Sequence, residues 1–414
     1  MARRLYACAF LEDFIVLYPV YALLFADTGL SPAAISSLFV IWSVAGFVFE
    51  LPSGLWADVF SRRRLLAASP LLTGAGFALW TFLPSYPSFA AGFVLWGVAT
   101  ALRSGTLQAL VYEELARVGA AGSYARLMGR SQALGTTAIM LANGVAAPVL
   151  AAGGYRAAGV VSVLACVACS ALALTLPESR TASTAPDAPD RAGPDRAGPD
   201  GERPEDAGPE DAEEDEGPFL EVLRDGWGQV RRVPRVRGAL VLAAAVMGFA
   251  AMDEYLPVLG EAMVAGAALV PLLMLVVGVG ETAGGWLAGR GVRWLAPALV
   301  GAAVCMALGA AGGRVEGIVL VAVAFGVIEW ARVAVEARLQ EQISDRSRAT
   351  VMSMAGFGAE VAAVLVFAGY ALGSVWAGPQ VLFAVAALPF LAMGVALWLP
   401  RRRRPPASGP RDGV

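Results

Sequence analysis

Residues 50–64 read ELPSGLWADVFSRRR. The stretch begins with a carboxylate, Glu50, near the end of a long apolar segment, and a second carboxylate, Asp58, follows before three consecutive arginines. Arginines beside an apolar segment mark the side of a membrane on which that end of the segment lies. The stretch therefore predicts the cytoplasmic end of a membrane-spanning helix.

The whole chain has the composition of a membrane protein. Of its 414 residues 57% are hydrophobic and 16% are charged, whereas soluble domains have about 45–50% apolar and about 25% charged residues. The apolar residues are grouped in runs of roughly twenty, the length that a helix needs to cross about 30 Å of hydrocarbon. Because lipid offers the backbone no hydrogen-bonding partner, these runs must be helical. The expected fold class is an all-α polytopic membrane protein.

The apolar runs predict twelve transmembrane helices in two groups of six. The first group covers residues 5–26, 33–57, 65–83, 88–112, 131–152 and 157–176, and the second covers 238–259, 264–288, 295–311, 317–338, 349–375 and 381–399. We expect an N-terminal six-helix bundle over residues 1–178 and a C-terminal one over 238–400. Most arginines fall in the loops of one side, which predicts that both termini are cytoplasmic.

The segments outside these bundles have their own compositions. Residues 179–218 are rich in Pro, Gly, Asp and Glu, and they cannot bury enough apolar area to fold. We expect a disordered acidic cytoplasmic linker there, followed by an amphipathic cytoplasmic helix over 219–237. Residues 401–414 form a basic cytoplasmic tail. A partner-binding role for the linker stays open.

The two groups of helices resemble each other in sequence. Glu50 and Glu281 begin the same E-x-x-x-G-x-x-A pattern 231 residues apart, and Gly-Val precedes both Arg103 and Arg332, which are 229 residues apart. Two matches at nearly one offset predict a duplicated six-helix unit. Paired repeats with a site at their interface are a transporter architecture.

The layout and the stretch at residues 54–64 resemble the major facilitator superfamily. Its loop signature, roughly G-x-x-x-D-R-x-G-R-R, corresponds to Gly54, Asp58, Arg62 and Arg63. Two positions depart from it: Val59 stands where the signature has a basic residue, and Ser61 stands where it has glycine. The resemblance implies that Asp58 lies near the start of the eleventh helix and that these residues form a cytoplasmic gate. The stretch GVAAPVLAAGGYR in the fifth helix resembles the motif of antiporter members of the family, which implies efflux.

Ionisable residues at membrane depth are costly and are functional candidates by default. Glu12, Asp13 and Glu50 are candidate proton carriers. Arg103 resembles the fourth-helix arginine of proton-coupled family members and needs a carboxylate partner, for which the first-helix acids are the natural choice. Alternatively, Arg103 binds an anionic substrate directly. Candidate residues of a central cavity are Arg103, Glu329, Arg332, Glu360, Tyr18 and Asp253.

The sequence favours a secondary active transporter that exports a small organic molecule in exchange for protons. An importer or facilitator of a small anionic metabolite, and a membrane sensor or scaffold that transports nothing, remain as alternatives. The chain has no histidine, no nucleotide-binding loop and no catalytic constellation, so we expect no metal, no cofactor, no nucleic-acid partner and no enzymatic activity. We expect a monomer in a bacterial inner membrane.

Overall fold

The structure is a computed structural model that describes residues 1–178, 228, 230–264, 266–288, 290–343 and 348–399. The side chains of residues 51–55, 57, 58, 292 and 349 also lie outside the described part. The predicted linker at 179–218, the tail at 401–414 and most of the predicted amphipathic helix at 219–237 are therefore not part of the description that follows.

The regular secondary structure of the described residues is entirely helical. The first part contains α1 (Ala2–Asp13), α2 (Tyr21–Asp27), α3 (Pro32–Val59), α4 (Arg62–Phe82), α5 (Tyr86–Arg103), α6 (Thr106–Arg117) and α7 (Tyr124–Ala173). The second part contains α8 (Pro234–Phe249), α9 (Leu256–Glu261), α10 (Val270–Trp286), α11 (Leu295–Ala311), α12 (Gly317–Gln342), α13 (Arg348–Gly373) and α14 (Pro379–Trp398).

Eight of the helical segments in the described part are long and apolar enough to cross a membrane, and Leu295–Ala311 is a shorter apolar helix. One of the eight, Ala121–Ala173, contains a break. Gly153 and Gly154 leave the helical conformation, and Gly154 has φ +61° with ψ −159°, which a residue with a side chain rarely adopts. The break lies between the predicted helices at 131–152 and 157–176.

The predicted first, fourth and seventh helices are interrupted, which the sequence analysis did not anticipate. The first ends at Asp13 and resumes at Tyr21, because Pro19 cannot donate a backbone hydrogen bond. Within the gap the N–H of Leu17 donates to the Ser162 hydroxyl at 3.0 Å, and Leu17 is fully buried. Non-helical backbone at membrane depth is tolerated where protein covers it and satisfies its polar groups.

The other two interruptions have different causes. Gly105, with φ +72°, separates α5 from α6 immediately after Arg103. In the seventh predicted helix a 3-10 turn over Ala250–Tyr255 links α8 to α9. The helix at the seventh predicted span begins at Pro234 rather than at residue 238, so it includes the last four residues of the segment 219–237.

Helix packing falls into two groups. In the first part α3 and α4 pack on α5, and α1 and α4 pack on α7. In the second part α10 and α11 pack on α12, α11 packs on α14, and α8 packs on α12 and α13. The main helix contacts between the parts are those of α3 with α13 and of α7 with α10.

The two ends of the helices differ in their polar contacts. At one end, which we call the arginine end, Arg62 pairs with Glu113 and Arg4 donates to the Thr175 carbonyl. At the opposite end, the Tyr155 hydroxyl donates to Asp27 at 2.7 Å.

One close approach in the second part depends on glycine. A Cβ on Gly284 of α10 would overlap the carbonyl oxygen of Gly326 in α12, whereas a Cβ on the adjacent Gly285 would meet nothing within 4 Å.

We predict that Gly284→Ala separates the two helices and lowers the free energy of unfolding by about 1–3 kcal/mol. Gly285→Ala should leave the Tm unchanged or raise it. Thermal unfolding of both variants in detergent tests this, and equal Tm values for the two would contradict it.

Candidate functional site

An ion pair joins the ends of two interrupted helices. Arg103 Nε lies 2.7 Å from Glu12 Oε1, with the two side chains 38% and 23% exposed. Arg103 is the last residue of α5, and Glu12 is the penultimate residue of α1. Removing Arg103 would leave the charge of Glu12 without its partner at membrane depth.

Two cavities meet at this ion pair. The smaller, about 90 Å³, is lined by Glu12, Asp13, Tyr18, Thr73, Trp96 and Arg103, among others. The larger, about 280 Å³, shares Asp13, Thr100 and Arg103 with it and adds the exposed side chains of Ser104, Gln108 and Gln132. The polar residues therefore continue from the half-buried carboxylates to an exposed mouth. This mouth lies on the side of Arg103 that leads along α6 to the arginine end.

A third cavity, of about 180 Å³, adjoins these two through Thr100 and Ser104. It is lined by Trp42, Glu50 and Glu360, so α3 and α5 of the first part and α13 of the second part form its walls. Ser43 is within hydrogen-bonding reach of Glu360, and Glu50 lies close enough to Glu360 to interact with it electrostatically. Glu50 thus shares its cavity with a carboxylate of the other part, Glu360, and not with the first-helix acids.

An aromatic wall connects the cavities. The ring of Trp96 stacks on Tyr18 with centroids 5.3 Å apart, and on Trp42 with centroids 4.9 Å apart. Tyr18 lines the cavity beside Asp13, and Trp42 lines the one beside Glu50. The wall offers a flat apolar surface next to the carboxylates, to which an aromatic or aliphatic group can bind.

The remaining candidate residues form a second cluster in the other part. Arg332 donates to Glu329 through both Nε (2.8 Å) and Nη2 (2.6 Å), so the pair is bidentate within α12. Glu281 lies within electrostatic range of Asp253, Glu329 and Arg332. The structure therefore divides the predicted central residues: Glu12, Asp13, Tyr18, Glu50, Arg103 and Glu360 surround adjoining cavities, and Asp253, Glu329 and Arg332 lie together elsewhere.

The predicted gate motif is described only in part, because the side chain of Asp58 and the surroundings of Gly54 lie outside the described part. Arg62 pairs with Glu113, and its backbone N–H donates to Glu178 Oε1 at 2.7 Å. Arg63 Nε lies 4.0 Å from the same carboxylate of Glu178. Glu113 and Glu178 were not among the predicted site residues. The available signal was their position near helix ends, Glu113 in the last turns of α6 and Glu178 just beyond α7, in a chain rich in arginine.

A seam of hydroxyl groups and rings joins the two parts toward the opposite end. The Tyr21 hydroxyl donates to Glu254, and the Tyr255 and Ser36 hydroxyls are 2.7 Å apart. Phe39 packs on Tyr255 of the second part with ring centroids 5.3 Å apart. Sequence reasoning missed Tyr21, Ser36 and Phe39, since ordinary aromatic and hydroxyl residues carry no signal of their own. The structure is closed at this seam, and its cavities reach exposed residues on the other side.

A family comparison matches residues 5–331 to the Major Facilitator Superfamily. The chain belongs to the Major Facilitator Superfamily. It is thus a multi-pass membrane transporter and not an enzyme. No match was found among curated proteins. Among described residues, no group of three or more His, Cys, Asp or Glu side chains could hold a metal ion.

Solved structures share the fold at low sequence identity. The nucleoside transporter NupG superposes with a TM-score of 0.67 at 12% identity, covering 96% of this chain and 98% of that one. A D-xylose–proton symporter gives 0.62 at 16% identity, covering 96% and 94%. A bacterial homolog of the human lysosomal transporter Spinster, in an inward-facing and unoccupied conformation, gives 0.61 at 15% identity, covering 96% and 93%.

The seam yields a direct prediction. Tyr21→Phe removes the hydrogen bond to Glu254, so the two parts should separate more readily at the opposite end. Tyr86→Phe is the matched control, because the Tyr86 hydroxyl contacts Ser37 within the first part, at 2.9 Å. In hydrogen–deuterium exchange, Tyr21→Phe should speed exchange in α2 and α9, and Tyr86→Phe should not. Identical exchange of these helices in the two variants would contradict the seam's role.

Proposed function

We propose that the chain is a proton-coupled exporter that exchanges protons for a small organic molecule by alternating access. The observation that carries the proposal is the Arg103–Glu12 ion pair beside Asp13, in cavities that are open on one side and sealed on the other by the seam. A carboxylate in that position exchanges protons with whichever side its cavity faces.

Asp13 is the proposed proton carrier. Glu12 already neutralises Arg103, whereas Asp13 lies in both cavities around the pair. The position of the Arg103 guanidinium then depends on the protonation state of Asp13, because it can pair either with Glu12 or with an ionised Asp13. Glu50 remains a second candidate carrier, with Glu360 as its neighbour across the third cavity.

The charges around the cavities favour a substrate without negative charge. Four acidic side chains line the cavities, namely those of Glu12, Asp13, Glu50 and Glu360. The basic side chain among them, Arg103, is already paired with Glu12. An anionic metabolite would meet repulsion from the remaining acids. The importer or facilitator of an anion is therefore less well supported than export of a partly apolar, neutral or cationic molecule that contacts the aromatic wall.

The proposed architecture has twelve membrane crossings, formed by two six-helix bundles at residues 1–178 and 238–400. It counts α1 with α2, α5 with α6, and α8 with α9 as single interrupted crossings, and it divides α7 at Gly153–Gly154. The arginine end, with both termini, would face the cytoplasm of a bacterial inner membrane. We propose that the protein works as a monomer and that residues 179–218 tether the bundles.

The proposed gate lies at the arginine end. Arg62 and Arg63 anchor the start of α4 to Glu113 and Glu178 within the first part. Gly54 and Asp58 precede this anchor in α3 and would supply the contact to α13 that forms when the arginine end closes.

The experiment is proton release from inside-out vesicles as a panel of neutral, cationic and anionic solutes is added. The wild type should release protons with a subset of neutral or cationic solutes. Asp13→Asn should abolish this release, because asparagine cannot carry a proton, and Glu50→Gln tests the second carrier. Asp27→Asn is the matched control, since Asp27 lies at the opposite end and contacts Tyr155.

Two outcomes would contradict the proposal. Solute flux without proton movement in all variants alike would favour a facilitator. Solute binding with no flux in any direction, unaffected by the carboxylate variants, would favour the sensor or scaffold.

A further inference from the structure

A basic cavity lies at the arginine end of the second part, between α8, α12 and α14. Its volume is about 190 Å³, several times the roughly 30 Å³ that one water molecule occupies in the liquid. Arg235 enters it from the first turn of α8, and Arg338 and Gln342 enter it from the last turns of α12. Leu242, Val335 and Leu397 form its apolar wall. None of these residues belongs to the proposed proton or substrate site.

The first part is built differently at the corresponding place. There a cavity of only about 20 Å³ lies among α1, α4, α5–α6 and α7; apolar residues such as Leu5 and Leu107 line most of it, and its polar side chains are the already paired Glu12 and Arg103. Arg4 precedes Arg235 by 231 residues, the same offset that relates Glu50 to Glu281. Arg4, however, donates to the Thr175 carbonyl. Repetition of the fold therefore does not account for the width of the cavity in the second part or for its two arginines, Arg235 and Arg338.

The chemistry of the cavity suits a phosphate group beside hydrocarbon. Guanidinium groups hold phosphate through paired N–H donors, and the carboxamide of Gln342 adds another donor. The neighbouring Arg231, Arg232 and Arg237 are exposed and raise the local positive potential. Below the polar rim, the leucine and valine side chains provide the surface that acyl chains contact. Basic pockets between transmembrane helices on the cytoplasmic side are typical sites for anionic lipid headgroups.

We propose that this cavity binds the phosphate of an anionic phospholipid. Arg235 and Arg338 hold the phosphate, Gln342 donates to it, and Leu242 and Leu397 contact the first methylenes of the acyl chains. The lipid thereby links the start of α8 to the end of α12. These two helices lead to Asp253 and carry the Glu329–Arg332 pair respectively, so the bound lipid stabilises the second carboxylate cluster.

The test measures the Tm of purified full-length protein in detergent micelles with added phosphatidylglycerol or phosphatidylcholine. Phosphatidylglycerol should raise the wild-type Tm by several degrees more than phosphatidylcholine does. The double variant Arg235→Gln/Arg338→Gln should lose this difference. The variant Arg235→Lys/Arg338→Lys keeps both charges and should retain part of it. Arg237→Gln is the matched control, because it removes an adjacent arginine that does not line the cavity.

Two further measurements are needed. One distinguishes binding of lipid from binding of soluble phosphate, and the other distinguishes a variant that has lost lipid binding from one that is merely less stable. Inorganic phosphate and glycerol 3-phosphate are added without lipid, and native mass spectrometry counts the phosphatidylglycerol molecules that stay bound. Loss of one retained lipid in the glutamine double variant, but not in Arg237→Gln, supports the proposal even if the variant has a lower basal Tm. An equal loss in Arg237→Gln, or a full Tm rise with soluble phosphate alone, would overturn it.

Discussion

The Arg103–Glu12 ion pair is the contact on which the arrangement of the first part depends. A guanidinium at membrane depth requires a carboxylate partner, and here both partners lie at helix ends. The interruptions after Asp13 and Arg103 bring these ends together and leave a polar cavity around them. The adjacent acid, Asp13, gains access to that cavity without having to neutralise the arginine. The helix interruptions thus allow the charged side chains at membrane depth to pair and to line a polar cavity.

The contacts at the two ends of the molecule differ in kind, and this difference suits reversible closure. At the opposite end the parts meet through hydroxyl hydrogen bonds and aromatic rings, such as Ser36 with Tyr255 and Phe39 with Phe367. Each such hydrogen bond contributes only about 0.5–1.5 kcal/mol net, so the seam can open. The described ion pairs at the arginine end, such as Arg62 with Glu113, lie within the first part. They link helices of the first part and do not join it to the second part.

Much of the fold follows from the sequence, because bilayer thickness fixes the length of apolar runs. The need of Arg103 for a carboxylate also predicts a first-helix acid as its partner, and Glu12 is that partner. The interruptions were missed, because the backbone of Leu17 is satisfied by Ser162, which is 145 residues away. The meeting of Glu50 with Glu360 and of Tyr21 with Glu254 depends on how the two parts dock. The pattern within a single helix contains no information about that docking.

The central claim is that the cavities around Arg103 open alternately to the two sides. The most direct measurement is a pair of spin-label distances in a cysteine-free background, in acidic and in alkaline buffer. One pair, Val118→Cys with Gln340→Cys, spans the arginine end, and the other, Thr28→Cys with Trp376→Cys, spans the opposite end; all four positions are exposed. The account predicts that the two distances change in opposite directions between the two buffers. Distances that stay constant, or that lengthen and shorten together, would contradict it.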